Sequence, residues 1–544
     1  MINTTHLHTA ATVALALFVL HGSALADDDE PLREAAQLAE RAPQPSLKFA
    51  PCAVNAALDC ATLRVPVDYR QPWAGAVDLA VIRARATQPQ RRIGVLFANP
   101  GGPGGSGFDF VRTGVGAPSF IRLRERFDIV SFDVRGTHRS GALRCEAPVP
   151  APTPSAIDEF SKQLAQNCVL QHGALVTSMS TNNIARDVEV LRRSLGERQL
   201  TMVGLSYGSA LGAVYATLFP RHTRALLIDA AFQPNFRDGL VEMSVDQALS
   251  FEMVFQHLDQ RCRADALCRL RTAGVSNTLA ALNARLAQAP IAGPGGVFLT
   301  VSSVRSALRS TAALARESSW PLIVDALADA SEGNFALLFQ LVAANGGDPS
   351  SGGTPPPGAG MLSISPLGII RCNDYGTRRT AAEVQAIADA QTAVSSRLVD
   401  GLSTRTEAAF CGAWPAAEVP FIRPLGRGLL GHAGATVPTL LFTANFDPNT
   451  PTSWTQNLAD RLGPAAQVVR YQGAGHGSYA QTGNACIDAL GDVFLFDLKL
   501  PPPGTHCAAR PVAFRPAAGG TTEATARSRV RALPRALAFE PSAP

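Results

Sequence analysis

A serine, an aspartate and a histidine, residue types that together can transfer an acyl group, stand in this chain on segments able to bring them to one cleft. The serine is Ser206, within Gly204-Leu205-Ser206-Tyr207-Gly208. This run follows an apolar stretch predicted as a strand, Leu200–Gly204, and precedes a helix-like stretch, Ala210–Leu218. At a tight strand-to-helix turn a serine hydroxyl is lifted into a cleft, and glycines two residues either side are needed because larger side chains would collide. The next amide, that of Tyr207, points at the same spot and can stabilise an oxyanion.

A serine needs a base, and the base needs an orienting carboxylate. The predicted strand Thr439–Thr443 runs into Asn445-Phe446-Asp447-Pro448, which sets Asp447 in the loop just past it. The next, Gln467–Tyr471, is followed by Gly473-Ala474-Gly475-His476-Gly477, which sets His476 in a glycine-rich loop. Alone, Asp447 reads as a turn residue before proline and His476 as a surface histidine. Together with Ser206 they give the chain order Ser, Asp, His, each on a loop after a strand, which is that of the α/β-hydrolase fold. A fourth piece, Asn99-Pro100-Gly101-Gly102-Pro103-Gly104-Gly105-Ser106-Gly107, follows the predicted strand Gly94–Ala98. Such a loop exposes amides where an acyl-transfer enzyme needs its second oxyanion donor. Gly102, Gly104 and Gly107 also fit the spacing of a dinucleotide-binding fingerprint, with Asp133 ending the following strand. Pro103 inside the turn argues against that use, and the triad accounts for more of the chain.

Eight predicted strands alternate with helical patterns: Thr62–Val67, Asp78–Ala84, Gly94–Ala98, Asp128–Asp133, Leu200–Gly204, Ala225–Asp229, Thr439–Thr443 and Gln467–Tyr471. The pattern predicts a mostly parallel eight-stranded sheet with crossover helices. One helix is expected over Asn182–Leu195, with Ile184, Val188, Leu191 and Leu195 on one face and Gly196 placed to cap it. Between strands six and seven the texture turns helical (Leu240–Leu258, Ser276–Ala287, Ser303–Ala315, Trp320–Leu341), broken by a Gly/Pro/Ser-rich loop over Gly346–Gly360. The expected division is therefore a core from 27 to 231, a helical cap from 232 to 436, the rest of the core from 437 to 510, and a loose Ala/Arg/Pro-rich tail from 511 to 544.

Of the 544 residues, 46% are hydrophobic and 17% charged, as in a globular protein. The 48 basic and 44 acidic residues leave a net charge of +4, too balanced for a nucleic-acid binder, which needs a concentrated basic face. Residues 1–26 have the form of a secretory signal: an apolar run, Ala10 to Leu20, then Ala24-Leu25-Ala26 and the acidic stretch Asp27-Asp28-Asp29-Glu30. The run is shorter than the roughly 20 residues a membrane span requires. Ten cysteines fall into five neighbour pairs, Cys52/Cys60, Cys145/Cys168, Cys262/Cys268, Cys372/Cys411 and Cys486/Cys507, none in a C-x-x-C spacing. Sequence alone does not decide connectivity, but the even count and the leader favour an oxidising compartment, extracellular or periplasmic.

The chain resembles the α/β-hydrolase exopeptidases related to prolyl aminopeptidase, and more closely their secreted tripeptidyl aminopeptidase branch. The likeness is carried by Val65-Pro66-Val67-Asp68-Tyr69, the Asn99–Gly107 loop, Phe132-Asp133-Val134-Arg135-Gly136, Ala185-Arg186-Asp187, Gly204–Gly208, Asp447-Pro448 and His476. The resemblance implies Ser206 as nucleophile, His476 as general base then acid, and Asp447 as its orienting partner. It implies an oxyanion hole of the Gly102 and Tyr207 amides, with Gly101 the competing choice. Pro100 stands where prolyl aminopeptidases usually carry a histidine, which favours the tripeptidyl branch. Asp133 and Arg135 are expected to be a structural buried pair bracing the nucleophile loop.

The resulting expectation is an exported serine hydrolase that needs no metal or organic cofactor and acts on a peptide or small ester. An aminopeptidase must recognise the substrate ammonium, for which Glu242, Asp246 and Glu252 of the cap are candidates, although their spacing is also that of a solvated helix face. A carboxylesterase with the same triad and an apolar cap cleft is the alternative. A binding protein on a hydrolase scaffold would not need the triad. Oligomeric state is not legible.

Overall fold

Strands such as Gly94–Asn99 (GVLFAN) and Phe127–Phe132 (FDIVSF) are buried at every position. Near-continuous apolar runs of this length are what a parallel sheet covered on both faces demands. The computed structural model describes residues 30–143, 145–148, 154–232, 239–294, 297–309, 316–344, 361–363, 366–375, 378–399, 401–415, 437–510 and 512–514. The expected signal segment and the Gly346–Gly360 loop lie outside these residues.

The described strands are β1 (Ala50–Cys52), β2 (Asn55–Pro66), β3 (Ala76–Ala84), β4 (Gly94–Asn99), β5 (Phe127–Phe132), β6 (Glu146–Pro148) and β7 (Leu200–Leu205). They continue with β8 (Thr223–Asp229), β9 (Ile291–Ala292), β10 (Phe298–Leu299), β11 (Met361–Ser363), β12 (Thr439–Phe446), β13 (Ala466–Ala474) and β14 (His506–Cys507). Ten of them form one sheet in the order β1-β2-β3-β5-β4-β7-β8-β12-β13-β14. From β5 to β14 every pairing is parallel, while β3 runs antiparallel to both β2 and β5. This is the α/β-hydrolase fold. The sheet has ten strands rather than the expected eight, because the edge strands β1 and β14 have three and two residues, too few to show a period.

Alternate residues of the strands feed two cores, Val95 and Phe97 on one face of the sheet and Leu96 and Ala98 on the other. The helix Thr181–Ser194 starts on Ser180, whose side chain accepts the Asn183 amide. It ends in paired bonds, Gly196 N–H to Arg193 O and Glu197 N–H to Arg192 O, with Gly196 at φ 71°. That left-handed turn is why glycine stands there.

Between β8 and β12 the chain is mainly helical. The helices Gly239–Ala264, Val275–Gln288, Val301–Arg309, Trp320–Ser331 and Ala336–Ala344 supply a separate apolar cluster. The expected helix Trp320–Leu341 is two helices, because Gly333 takes φ 89° and turns the chain between them. The helices Pro366–Asp374 and Leu402–Gly412 instead add Ile369, Ile370 and Phe410 to the cluster on the sheet. The chain after Pro511 is not loose at once: Phe514 is buried among the inserted helices, and its amide donates to Asp265 Oδ2 at 3.2 Å.

Five disulfides join each cysteine to its sequence neighbour: Cys52–Cys60, Cys145–Cys168, Cys262–Cys268, Cys372–Cys411 and Cys486–Cys507. Among the described residues no helix is long and apolar enough to cross a membrane.

Candidate active site

The carboxyl ends of β4, β7, β8, β12 and β13 lie side by side, so the loops that leave them share one edge of the sheet. Ligands of open α/β sheets bind at that edge, where successive connections depart in opposite directions. Here β5 and β7 flank β4 on opposite sides.

Ser206 follows β7 immediately and has φ 56° and ψ −124°, a conformation that costs a non-glycine residue about 1–3 kcal/mol. It is held there by its own N–H on Asp229 O at 2.9 Å and by the Ser209 N–H on its carbonyl at 2.9 Å. The helix Tyr207–Leu218 starts at the next residue. The flanking glycines are steric necessities: a Cβ on Gly204 would sit 2.1 Å from Gly208 O, and one on Gly208 would sit 2.4 Å from Asn99 O. The Tyr207 side chain points away from the turn and is buried, its hydroxyl bonded to Thr181 Oγ1, which donates to Asp374 Oδ2 at 2.6 Å.

The glycine-rich loop lies directly against this turn. Gly101 has φ 95°, and a Cβ there would meet Leu205 O at 2.4 Å and the Tyr207 amide nitrogen at 3.0 Å. Its N–H is already given to Asn99 Oδ1 at 3.0 Å. The loop is braced from below by Asp133, whose Oδ1 accepts Ser106 Oγ–H at 2.5 Å and the Phe108 amide at 3.1 Å. The expected Asp133–Arg135 pair does not form. Both residues are fully buried, but Arg135 grips Asp187 at 2.5 and 2.8 Å, and Tyr69 donates to the same carboxylate at 2.7 Å. Each side chain has its own partners: Asp133 also accepts the Arg139 amide at 3.1 Å, and Arg135 also donates to the carbonyls of Pro66 and Val67.

Asp447 is just past β12, with its side chain fully buried. Its Oδ1 accepts the amides of Asn449 and Thr450 at 2.8 and 2.9 Å, and its Oδ2 accepts the Thr450 hydroxyl at 2.8 Å. His476 Nδ1 faces both carboxylate oxygens at 3.0 and 3.1 Å. Burial alone would push His476 down, but the charge and hydrogen bond of Asp447 outweigh it, and the imidazole is held above its ordinary value. The His476 loop is also tied to the inserted helices. Gly475 pairs with Arg316 in an antiparallel bridge, the Ala474 amide donates to Glu317 Oε1 at 2.9 Å, and Arg316 donates to Gln481 Oε1 at 3.1 Å.

The ammonium candidates fare differently. The side chain of Glu242 lies outside the described residues. Glu252 is withdrawn from any substrate role: it is buried, paired with Arg397, and accepts Gln256 Nε2–H at 3.0 Å. A helix face that looked solvated in sequence is covered there by the segment carrying Ser395 and Arg397. Asp246 is half-buried, and its Oδ2 accepts Trp454 Nε1–H at 2.7 Å. Its neighbour Gln247 donates to Asn449 O at 2.7 Å, beside the Asp447 turn. A surface groove of about 810 Å³, lined by Asn445, Gln456, Arg470 and His506 among others, includes none of these residues.

Sequence reasoning missed Thr450, Asp229 and the Arg316–Glu317 segment. Thr450 had a local signal, since a threonine three positions after an aspartate in a turn can return a hydroxyl to the carboxylate. The others reach the site only through the fold.

Residues 400–507 match the family model described as TAP-like protein. Over 301 residues the chain is 33% identical to tripeptidyl aminopeptidase of Streptomyces coelicolor, covering 51% of this chain and 56% of that protein. The match thus spans little more than half the length of that relative. Over 483 residues it is 28% identical to serine protease Hip1 of Mycobacterium tuberculosis, covering 82% of this chain and 87% of that one. Over 469 residues it is 30% identical to carboxylesterase B of Mycobacterium tuberculosis, covering 82% and 86%. The chain belongs to the TAP-like family of α/β-hydrolases.

Proposed function

We propose that Ser206, His476 and Asp447 are a catalytic triad, and that the protein is an exported aminopeptidase releasing short peptides from peptide N-termini. The observation that carries the triad is the buried Asp447 carboxylate on His476 Nδ1, on the same sheet edge as a serine held at positive φ. Ser206 Oγ attacks the scissile carbonyl while His476 takes its proton, and the carbonyl oxygen becomes an oxyanion. His476 returns that proton to the leaving amine, leaving an acyl-serine. Water then attacks, giving its proton to His476, and the acid product leaves as Ser206 regains a proton. For the oxyanion hole we favour the Gly102 and Tyr207 amides over Gly101, whose N–H is committed to Asn99.

The exopeptidase reading is supported by the tripeptidyl aminopeptidase likeness, and export by the five disulfides. The inserted helices would form the cap over the site, and of the three ammonium candidates Asp246 keeps a place beside the Asp447 turn. A carboxylesterase is the second reading, favoured by the relative of that name matched over most of its length.

A matched panel tests these readings: free-amine tripeptidyl anilides, their N-acetyl versions, and short-chain nitrophenyl esters, each with wild type and Ser206→Ala. The expected result is cleavage of free-amine anilides, refusal of blocked ones, and no turnover by Ser206→Ala. Esters alone cleaved would establish the second reading. Full activity in Ser206→Ala would dismiss the triad.

A further inference from the structure

The loop carrying His476 has a second anchor besides Asp447, and it comes from the strand beside the nucleophile. Asp229 ends β8 and is 2% exposed. Its main-chain carbonyl accepts the Ser206 N–H at 2.9 Å. Its side chain reaches the other loop: Oδ2 accepts the amides of Ser478 and Tyr479 at 2.6 and 2.7 Å, and Oδ1 accepts the Ser478 hydroxyl at 3.1 Å. Gly477, between His476 and these amides, has φ 85°, and a Cβ on it would come 2.7 Å from Leu205 Cδ1 and 3.6 Å from Asp229 Oδ2. The histidine loop is therefore pressed onto the end of the nucleophile strand, with Asp229 at the junction.

We propose that Asp229 is a positioning residue for the reaction: its main chain sets the Ser206 amide, and its side chain sets the His476 loop against it. The assignment rests on the triad reading above. Two N–H donors converging on one oxygen need an acceptor with two lone pairs, which an apolar residue cannot supply. Its charge acts too. The groups that bear on the His476 imidazole are Asp447 and Asp229, which favour its protonated form, and Arg316, which opposes it. Burial, opposed by the Ser478 and Tyr479 hydrogen bonds, pushes Asp229 up to about 7, so it is partly charged through the pH range in which a histidine held above its ordinary value loses its proton.

The test compares Asp229→Ala and Asp229→Asn with wild type and Ser206→Ala, using the full chain and whichever panel substrate the wild type turns over. Asp229→Ala is expected to lower kcat about a hundredfold or more, the scale of a misplaced general base, with KM within about threefold. Asp229→Asn keeps one oxygen for the two amides, so its kcat should return to within about tenfold of wild type. The acid limb of its kcat/KM profile should move to lower pH, since one charge favouring protonated His476 is gone. Should Asp229→Ala fail to fold, the pH profile of Asp229→Asn decides alone. A kcat for Asp229→Ala within threefold of wild type, or an unmoved acid limb in Asp229→Asn, overturns the proposal. Turnover by Ser206→Ala would instead overturn the triad reading and leave the Asp229 assignment without an object.

Discussion

At Gly101 there is no room for a methyl group, and this exclusion ties the glycine-rich loop to the Ser206 turn. A Cβ 2.4 Å from Leu205 O, on a backbone at φ 95°, must displace either the loop or Ser206. Gly101→Ala is expected to cost at least the about 1–3 kcal/mol of such strain and to lower kcat tenfold or more, read from thermal unfolding and steady-state kinetics. A second expectation concerns pH. On the proposed triad His476 acts as a base only when neutral, and Asp447 makes it hold its proton more tightly than an isolated imidazole would. The acid limb of kcat/KM for the free enzyme should therefore lie above about 6.5, the ordinary histidine value. Asp447→Asn should move it lower while reducing kcat, and a limb that stays in place would dissociate the two residues. At this scale the positions of Ser206, Asp447 and His476 were legible because each sits within a short motif at a strand end. Asp229 was not legible: the residues it binds lie 249 and 250 positions away in sequence. The Glu252 expectation failed for a similar reason, since its partner Arg397 is supplied by a distant segment.

Among elements, those with strong local signals were read closely. The helix Thr181–Ser194 lies within one residue of its expected limits, because Ser180 and Gly196 mark both ends chemically. The edge strands β1 and β14 and the break at Gly333 went unread. Pairing with a neighbour defines a two-residue strand, and a lone glycine in a helical pattern does not announce whether the chain turns there. The inserted helices were the least legible, since their faces divide between two clusters, and only packing shows which helix joins which. Cys372–Cys411 joins the helices Pro366–Asp374 and Leu402–Gly412 across 39 residues of chain. Replacing both cysteines by serine is expected to destabilise the protein by about 2–4 kcal/mol, measured by urea unfolding. No change in the unfolding midpoint would mean that packing alone holds these helices.

Over the whole molecule, the inserted helices and the sheet meet around the histidine loop. The Arg316–Gly475 bridge and the Glu317 bond to the Ala474 amide join them just before His476. Farther along, the chain after β14 buries Phe514 in the cluster of the inserted helices. Phe514→Ala is expected to cost about 3–5 kcal/mol and to expose these helices to proteolysis before the sheet. Uniform loss of all fragments together would show that the two parts unfold as one. The central claim is that one serine, activated by one histidine, does the chemistry, and covalent labelling reads this without knowledge of the substrate. The protein would be treated with a fluorophosphonate, digested, and mapped by mass spectrometry, beside His476→Ala and Ser206→Ala. A single adduct is expected on the peptide containing Ser206, formed much more slowly in His476→Ala and absent from Ser206→Ala. An adduct on another serine, or labelling of Ser206 at an unchanged rate without His476, would contradict it.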